Sequence, residues 1–210
     1  MIAGGDGHLY VSLAMAAALG WAVVPGTVIL TLFAIGTRLD WAGGVQAALG
    51  ASVANLPLAL LAGAGQIRLS EADPGVTEAY PLVAGILFAA AGYRALIAKG
   101  PRGEGPQWLA TRPFFVQGFG RALAQWERWV IWFAVGLLVA ASHPDARWPA
   151  LAAVLALMAA GHLGWTLAFR RTGMRGFFLA RRGLLWRGGG AALIIAGLVA
   201  VLTVTRGLQA

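Results

Sequence analysis

The chain has no cysteine, which excludes disulfides, thiolate metal sites and thiol nucleophiles and leaves the compartment open. Charge is almost as scarce. Only 11% of the 210 residues are charged while 59% are hydrophobic, and a soluble domain carries about 25% charged residues. A soluble globular domain is therefore excluded. Nucleotide-binding loops, nucleophile constellations and haem or zinc spacings are also missing, so no motif names an enzymatic reaction and no cofactor is expected. His8 and His143 have no Cys or acid cluster beside them, so no metal ligand is assigned. The N-terminal stretch Met1–His8 has no Lys or Arg. The apolar run after it is too long for the core of a signal peptide, so the segment is expected to be retained.

What the sequence does hold is apolar residues in blocks about 20 long, the length of a bilayer-crossing helix. Six spans are expected: Leu9–Gly36, Val45–Gln66, Tyr80–Ala98, Phe114–Ala141, Pro149–Phe169 and Gly188–Thr205. Turn signals fill the gaps, among them Asp73-Pro74-Gly75 and His143-Pro144-Asp145. The expected fold class is all-α, a polytopic membrane protein. The net charge of +8 lies mostly between the blocks, where it sets topology and meets lipid phosphate; nucleic acid is not an expected partner. With the N-terminus outside, the cytoplasmic segments hold Arg38, Lys99, Arg102, Arg112, Arg170, Arg171, Arg175, Arg181, Arg182 and Arg187. The outer segments hold Arg68, Arg147 and Arg206. Ten against three puts both termini outside. The stretch Arg170–Arg187 reads as a loop that fixes topology, or one that grips anionic lipid head groups or recruits a cytosolic partner.

A basic, glycine-rich linker divides the chain into residues 1–99, 100–113 and 114–210. Each flanking part holds three spans, and an odd number makes the two parts inverted relative to each other. The first span of each part, Leu9–Gly36 and Phe114–Ala141, has 28 residues. Unbroken, each would measure about 42 Å against about 30 Å of hydrocarbon. Paired long or interrupted spans in inverted halves point to a transporter site, although tilt explains length equally well.

The first long span contains Pro25-Gly26. Proline has no amide hydrogen and glycine resists no bend, so backbone groups are freed there. In hydrocarbon, such groups are tolerated only inside protein or beside a wet cavity. Pro25, Gly26 and Thr27 form one candidate half-site; a structural kink repaired by its neighbours is the alternative. The fourth span carries Arg121, Gln125 and Arg128, spaced to share one helical face, with Glu127 turned about 100° from Arg128. Charges at membrane depth are costly and face protein or water. Gln125, Arg128 and Asn55 are assigned to substrate binding and Glu127 to proton coupling, with a fixed Glu127–arginine ion pair as the alternative. His162 is a second candidate for proton coupling, or a neutral hydrogen-bond partner. Trp129 and Trp132 share a face, and Trp165 stands one turn from His162. Such aromatics cover a cation or simply pack.

The ordered set of motifs resembles the LysE-type amino-acid exporter family over nearly the whole chain. Pro25-Gly26-Thr27 stands for its Pro-Gly-Pro break, and Gly44, Gly50 and Asn55 for its second-span pattern. Gly85, Phe88, Gly92 and Arg94 match the third span, and Gly190 and Gly197 the sixth. The family's second break, Asn-Pro-Lys, is replaced by Gln125-Trp126-Glu127 after Gly118, so the helix-breaking proline of the second half is absent. The resemblance implies two inverted three-helix repeats and efflux of amino acids or related small cationic or zwitterionic solutes. It also implies a homodimer among membrane lipids in a bacterial inner membrane. The competing expectation is a non-transporting scaffold or lipid-binding subunit with the same fold. A membrane enzyme ranks last, because nothing names a reaction.

Overall fold

The computed structural model describes residues 6–24, 26–37, 40–97 and 110–207. Pro25, Arg38, Lys99, Arg102 and most of the 100–113 linker fall outside them, and so do the expectations placed on those residues. Every regular element described is helical: α1 (Asp6–Val23), α2 (Thr27–Thr37), α3 (Trp41–Val53), α4 (Asn55–Leu58), a π-helical stretch (Ala59–Ala64), α5 (Gly65–Ala72), a 3₁₀ turn (Pro74–Ala79), α6 (Tyr80–Ile97), α7 (Phe114–Ala124), α8 (Trp126–Ala141), α9 (Pro144–Ala168) and α10 (Thr172–Gly207).

Among the described residues, four helical stretches are long and apolar enough to cross a membrane: Trp41–Ala72, Pro74–Ile97, Pro144–Ala168 and Thr172–Thr205. Two bent pairs bring the number to six if each pair counts as one span. Gly7–Ala22 and Thr27–Thr37 meet at 43°, and Phe114–Ala124 and Trp126–Ala141 at 68°. This is the make-up of a multi-pass membrane protein.

Local chemistry sets the element ends. Asp40 caps α3 by accepting the Gly43 amide at 2.8 Å, and Asp73 caps the 3₁₀ turn through the Gly75 amide at 3.0 Å, as short acceptors do at helix starts. Pro144 opens α9 at a position where its missing amide costs nothing. Within the second span, Pro57 offers no hydrogen to the carbonyl one turn back. Just beyond it the ladder widens into the π-helical stretch, a form that appears mostly as single-turn bulges. Gly136 of α8 accommodates the bulge, since a Cβ there would collide with the Ala62 carbonyl.

One expectation fails plainly. The stretch Arg170–Arg187 is not a loop: α10 begins at Thr172 and runs for 36 residues. Arginine and leucine are good helix formers, and Phe178 and Trp186 are buried on the inward side. A ring cluster anchors this end, with Phe178 5.1 Å from Phe33 and 5.0 Å from Phe169 and Trp165 5.1 Å from Phe169.

Glycines bring two helix pairs into backbone contact, as small residues do where helices pack closely in membranes. Gly85 and Gly92 of α6 face Gly197 and Gly190 of α10; a Cβ on Gly85 would lie 2.6 Å from the Gly197 carbonyl. In the second pair, Gly50 of α3 meets the Phe115 carbonyl of α7, and Gly118 of α7 meets the Ala47 carbonyl of α3.

Two apolar cores result. One gathers α1, α8, most of α9 and the length of the α6–α10 pair. The other gathers α2, α3 and α7 with Phe169 and Phe178. Between them runs a layer of buried polar side chains.

Candidate functional site

The layer begins at the first break. Gly26 N donates to the Val24 carbonyl at 2.7 Å instead of reaching Ala22, and Val24 N donates to the Trp21 carbonyl at 3.1 Å. The Ala22 carbonyl, thus released, accepts the Trp165 indole N–H of α9 at 3.0 Å. The second break has the same solution. Gln125 is extended (φ −83°, ψ 94°), which frees the Leu123 carbonyl, and the Trp129 indole N–H takes it at 2.9 Å. A tryptophan thus satisfies a released carbonyl at each break, as backbone polar groups require in an apolar surrounding.

The two breaks abut. A Cβ built on Gly26 would lie 2.5 Å from Gln125 Nε2, so only glycine lets the amide come this close. Beside them is a small cavity of about 10 Å³, lined by Trp21, Ala22, Gly26, Gln125, Arg128 and His162 among others. That is space for roughly one water-sized group. Between tilt and a break, the fourth span takes the break, at Gln125, although it has no proline there.

Arg128 is 3% exposed. Its Nη1 donates to Asn55 Oδ1 at 3.0 Å, and Trp132 Nε1 donates to the same oxygen at 3.1 Å. Asn55 is 0% exposed and stands one hydrogen bond behind the cavity. Arg128 Nε, Asn55 Nδ2 and Gln125 Oε1 are buried without a partner. His162 Nδ1 lies 3.2 Å from Ser52 Oγ. Arg121 Nη1 donates to Thr31 Oγ1 at 3.0 Å, tying α7 to α2.

Gly26, Gln125, Arg128 and His162 therefore meet at one cavity, with Asn55 supporting Arg128. Thr27 does not line it and enters only through its carbonyl, which accepts Thr31 Oγ1 at 2.8 Å. Glu127 is half-buried in the first turn of α8 and makes no ion pair with a described residue. Its carboxylate suits a helix N-terminus. The three fourth-span polar residues are all buried, but not as one helical face, because the chain turns at Gln125. Of the aromatic pair on α8, Trp132 is buried and Trp129 is exposed. Sequence reading missed Ser52 and Thr31. Their only signal was a hydroxyl in an otherwise apolar string, and in Ser52 the helical spacing to Asn55.

A second cavity of about 260 Å³ opens between α2, α3 and α9, lined by Gly36, Asp40, Trp41, Gly44, Thr166 and Arg170. Thr166 Oγ1 donates to the His162 carbonyl at 3.0 Å, so the two cavities are one helical turn apart along α9.

No protein-family model, curated protein or solved structure matches the chain.

Proposed function

We propose that this protein is a secondary-active membrane exporter of amino acids or related small solutes, working by alternating access around the broken-helix site. The observation that carries the reading is the contact between the two breaks, Gly26 against Gln125, in the polar layer between two apolar cores. Discontinuous helices that meet at mid-depth form the substrate sites of transporters, where half-helix ends and freed backbone groups hold the solute. The side cavity one turn from His162 supplies an approach, and the small central volume is that of a closed conformation.

Two inverted three-helix repeats belong to the same proposal. The α6–α10 contact supports them: Gly85 meets Gly197 and Gly92 meets Gly190. Because both helices space these glycines by seven residues, exchanging α6 for α10 carries each contact onto the other. The proposed setting is a bacterial inner membrane with both termini outside, the chain working as a homodimer and resembling the LysE-type exporters. Proton coupling would fall to His162 at the cavity and Glu127 beside it.

A second reading, a lipid-binding subunit that does not transport, has one observation in its favour. An apolar groove of about 340 Å³ on the outer surface, lined by Leu61, Leu87, Trp129, Val130 and Phe133, has the lining an acyl chain needs. Counterflow in liposomes separates the two readings. Uptake of a labelled amino acid against its unlabelled form inside supports the exporter, and no counterflow across a broad panel of amino acids rejects it.

A further inference from the structure

We infer that the central site takes hold of its solute through an anionic group, with Arg128 as the counter-charge, so that purely cationic solutes are excluded. The inference deepens the exporter reading and rests on it for the word solute. Its basis is charge balance. Arg128 is a cation 3% exposed on the cavity wall, its Nη1 satisfied by a neutral amide and its Nε by nothing. Among the described residues no carboxylate is buried, and the two ion pairs found, Arg68–Glu71 and His143–Asp145, are both peripheral. Glu127 does not line the cavity.

The backbone brings both signs to the breaks, but the carbonyls released at the ends of α1 and α7 are taken by Trp165 and Trp129, which leaves the positive ends of α2 and α8 the less compensated. Helix α2, 11 residues long, and helix α8, 16 residues long, both begin at the breaks. Gly26 and Val28 at the start of α2 and Gln125 and Arg128 at the start of α8 line the cavity. Each helix N-terminus carries about half a positive charge and amides without intrahelical partners, an arrangement that attracts anions. Two positive helix ends and one guanidinium thus converge, and the nearby carboxylate, Glu127 in the first turn of α8, is half-buried and lies outside the cavity lining. An ammonium group entering here would meet repulsion from the Arg128 guanidinium, whereas a carboxylate or a halide-sized ion would be held by charge-assisted hydrogen bonds. The cavity holds about one water-sized group as it stands and has to widen to take a carboxylate.

The test is thermal unfolding of the full chain in detergent, in a chloride- and carboxylate-free buffer, with sodium chloride, sodium acetate, sodium glutamate or putrescine as probe. Anions should raise the Tm by several degrees, and putrescine should not. The shift should persist, reduced, in Arg128→Lys and vanish in Arg128→Gln. Asn55→Asp, which sets a carboxylate where Arg128 already donates, should abolish the shift without removing the cation, so the test survives if Arg128→Gln fails to fold. A shift with acetate and glutamate alone identifies a carboxylate solute, and one with chloride alone an inorganic anion; either upholds the inference. Stabilisation by putrescine but not by anions overturns it, as does an anion shift that survives in Arg128→Gln or Asn55→Asp. Binding is read here without a gradient. An anion shift without counterflow would sink the exporter reading alone, and counterflow of putrescine without an anion shift would sink this inference alone.

Discussion

Gly26 and Gln125 come from spans a hundred residues apart in sequence, yet the first has no room for a side chain because the amide of the second occupies it, 2.5 Å from where a Cβ would stand. The obstructing atom is the far end of a flexible side chain, so Gly26→Ala should fold with Gln125 displaced, at a cost of about 1–3 kcal/mol. In a Gln125→Ala background most of that cost should disappear. Chemical unfolding of the two single variants and the double variant measures the coupling, expected at about 1 kcal/mol or more. Strict additivity would mean that the two breaks do not touch.

The α3–α7 seam makes a harder demand. A Cβ on Gly118 would run into the Ala47 carbonyl, and backbone cannot step aside as a side chain can. Gly118→Ala should therefore separate the two helices and lower stability by about 3 kcal/mol, the upper end of overpacking costs. Gly164, with nothing within 4 Å, is the matched control. Gly164→Ala should be neutral or stabilising by up to about 1 kcal/mol, since alanine is the better helix former. Thermal unfolding of both variants in the same detergent checks the contrast.

How far the sequence could be read follows from where the controlling interactions lie. The first interruption was legible because proline and glycine carry it in their own covalent structure. The burial of Asn55, Gln125, Arg128 and His162 was legible because polar side chains in a membrane-length helix must turn inward. The second interruption was not legible in the same way. Gln125 has no intrinsic reason to leave the helix. Its extended backbone goes with Arg121 reaching Thr31 on one side and Arg128 reaching Asn55 on the other, partners about 70 to 90 positions away. The Arg170–Arg187 stretch misled for a related reason. Density of charge reads as loop, but arginine favours helix, and the burial of Phe178 that holds α10 down depends on the rings of Phe33 and Trp165 on other helices.

Asn55 Oδ1 takes two donors, Arg128 Nη1 and Trp132 Nε1. Asn55→Leu would keep much of the volume and strand both, one of them charged. Each buried donor left unmade costs about 1–3 kcal/mol, with more for a charge, so Asn55→Leu should lose about 3 kcal/mol or more. Adding Trp132→Phe removes one stranded donor, and the double variant should be less destabilised than the sum of the two singles. Unfolding midpoints in detergent decide it. If Asn55→Leu unfolds like the parent, the hydrogen bonds to Asn55 carry no weight in the folded state.

Because the chain has no native cysteine, single introduced cysteines can tell whether α7 and α8 cross the membrane as one bent span. Glu78, in the turn before α6, and Arg171, between α9 and α10, are both exposed. If α7 and α8 together form a span, then three spans separate these positions and they lie on opposite sides. If the 68° bend instead returns the chain to the side it came from, only α6 and α9 cross between them, and both lie on the same side. The excess of ten basic residues over three favours the first arrangement, with Arg171 inside, because cytoplasmic loops retain Lys and Arg. Glu78→Cys should thus react with a membrane-impermeant maleimide in intact cells, and Arg171→Cys only after permeabilisation. Reversed labelling would invert the protein while keeping six spans. Labelling of both from one side would make α7–α8 a re-entrant hairpin and leave the chain with an even number of crossings between the two sites.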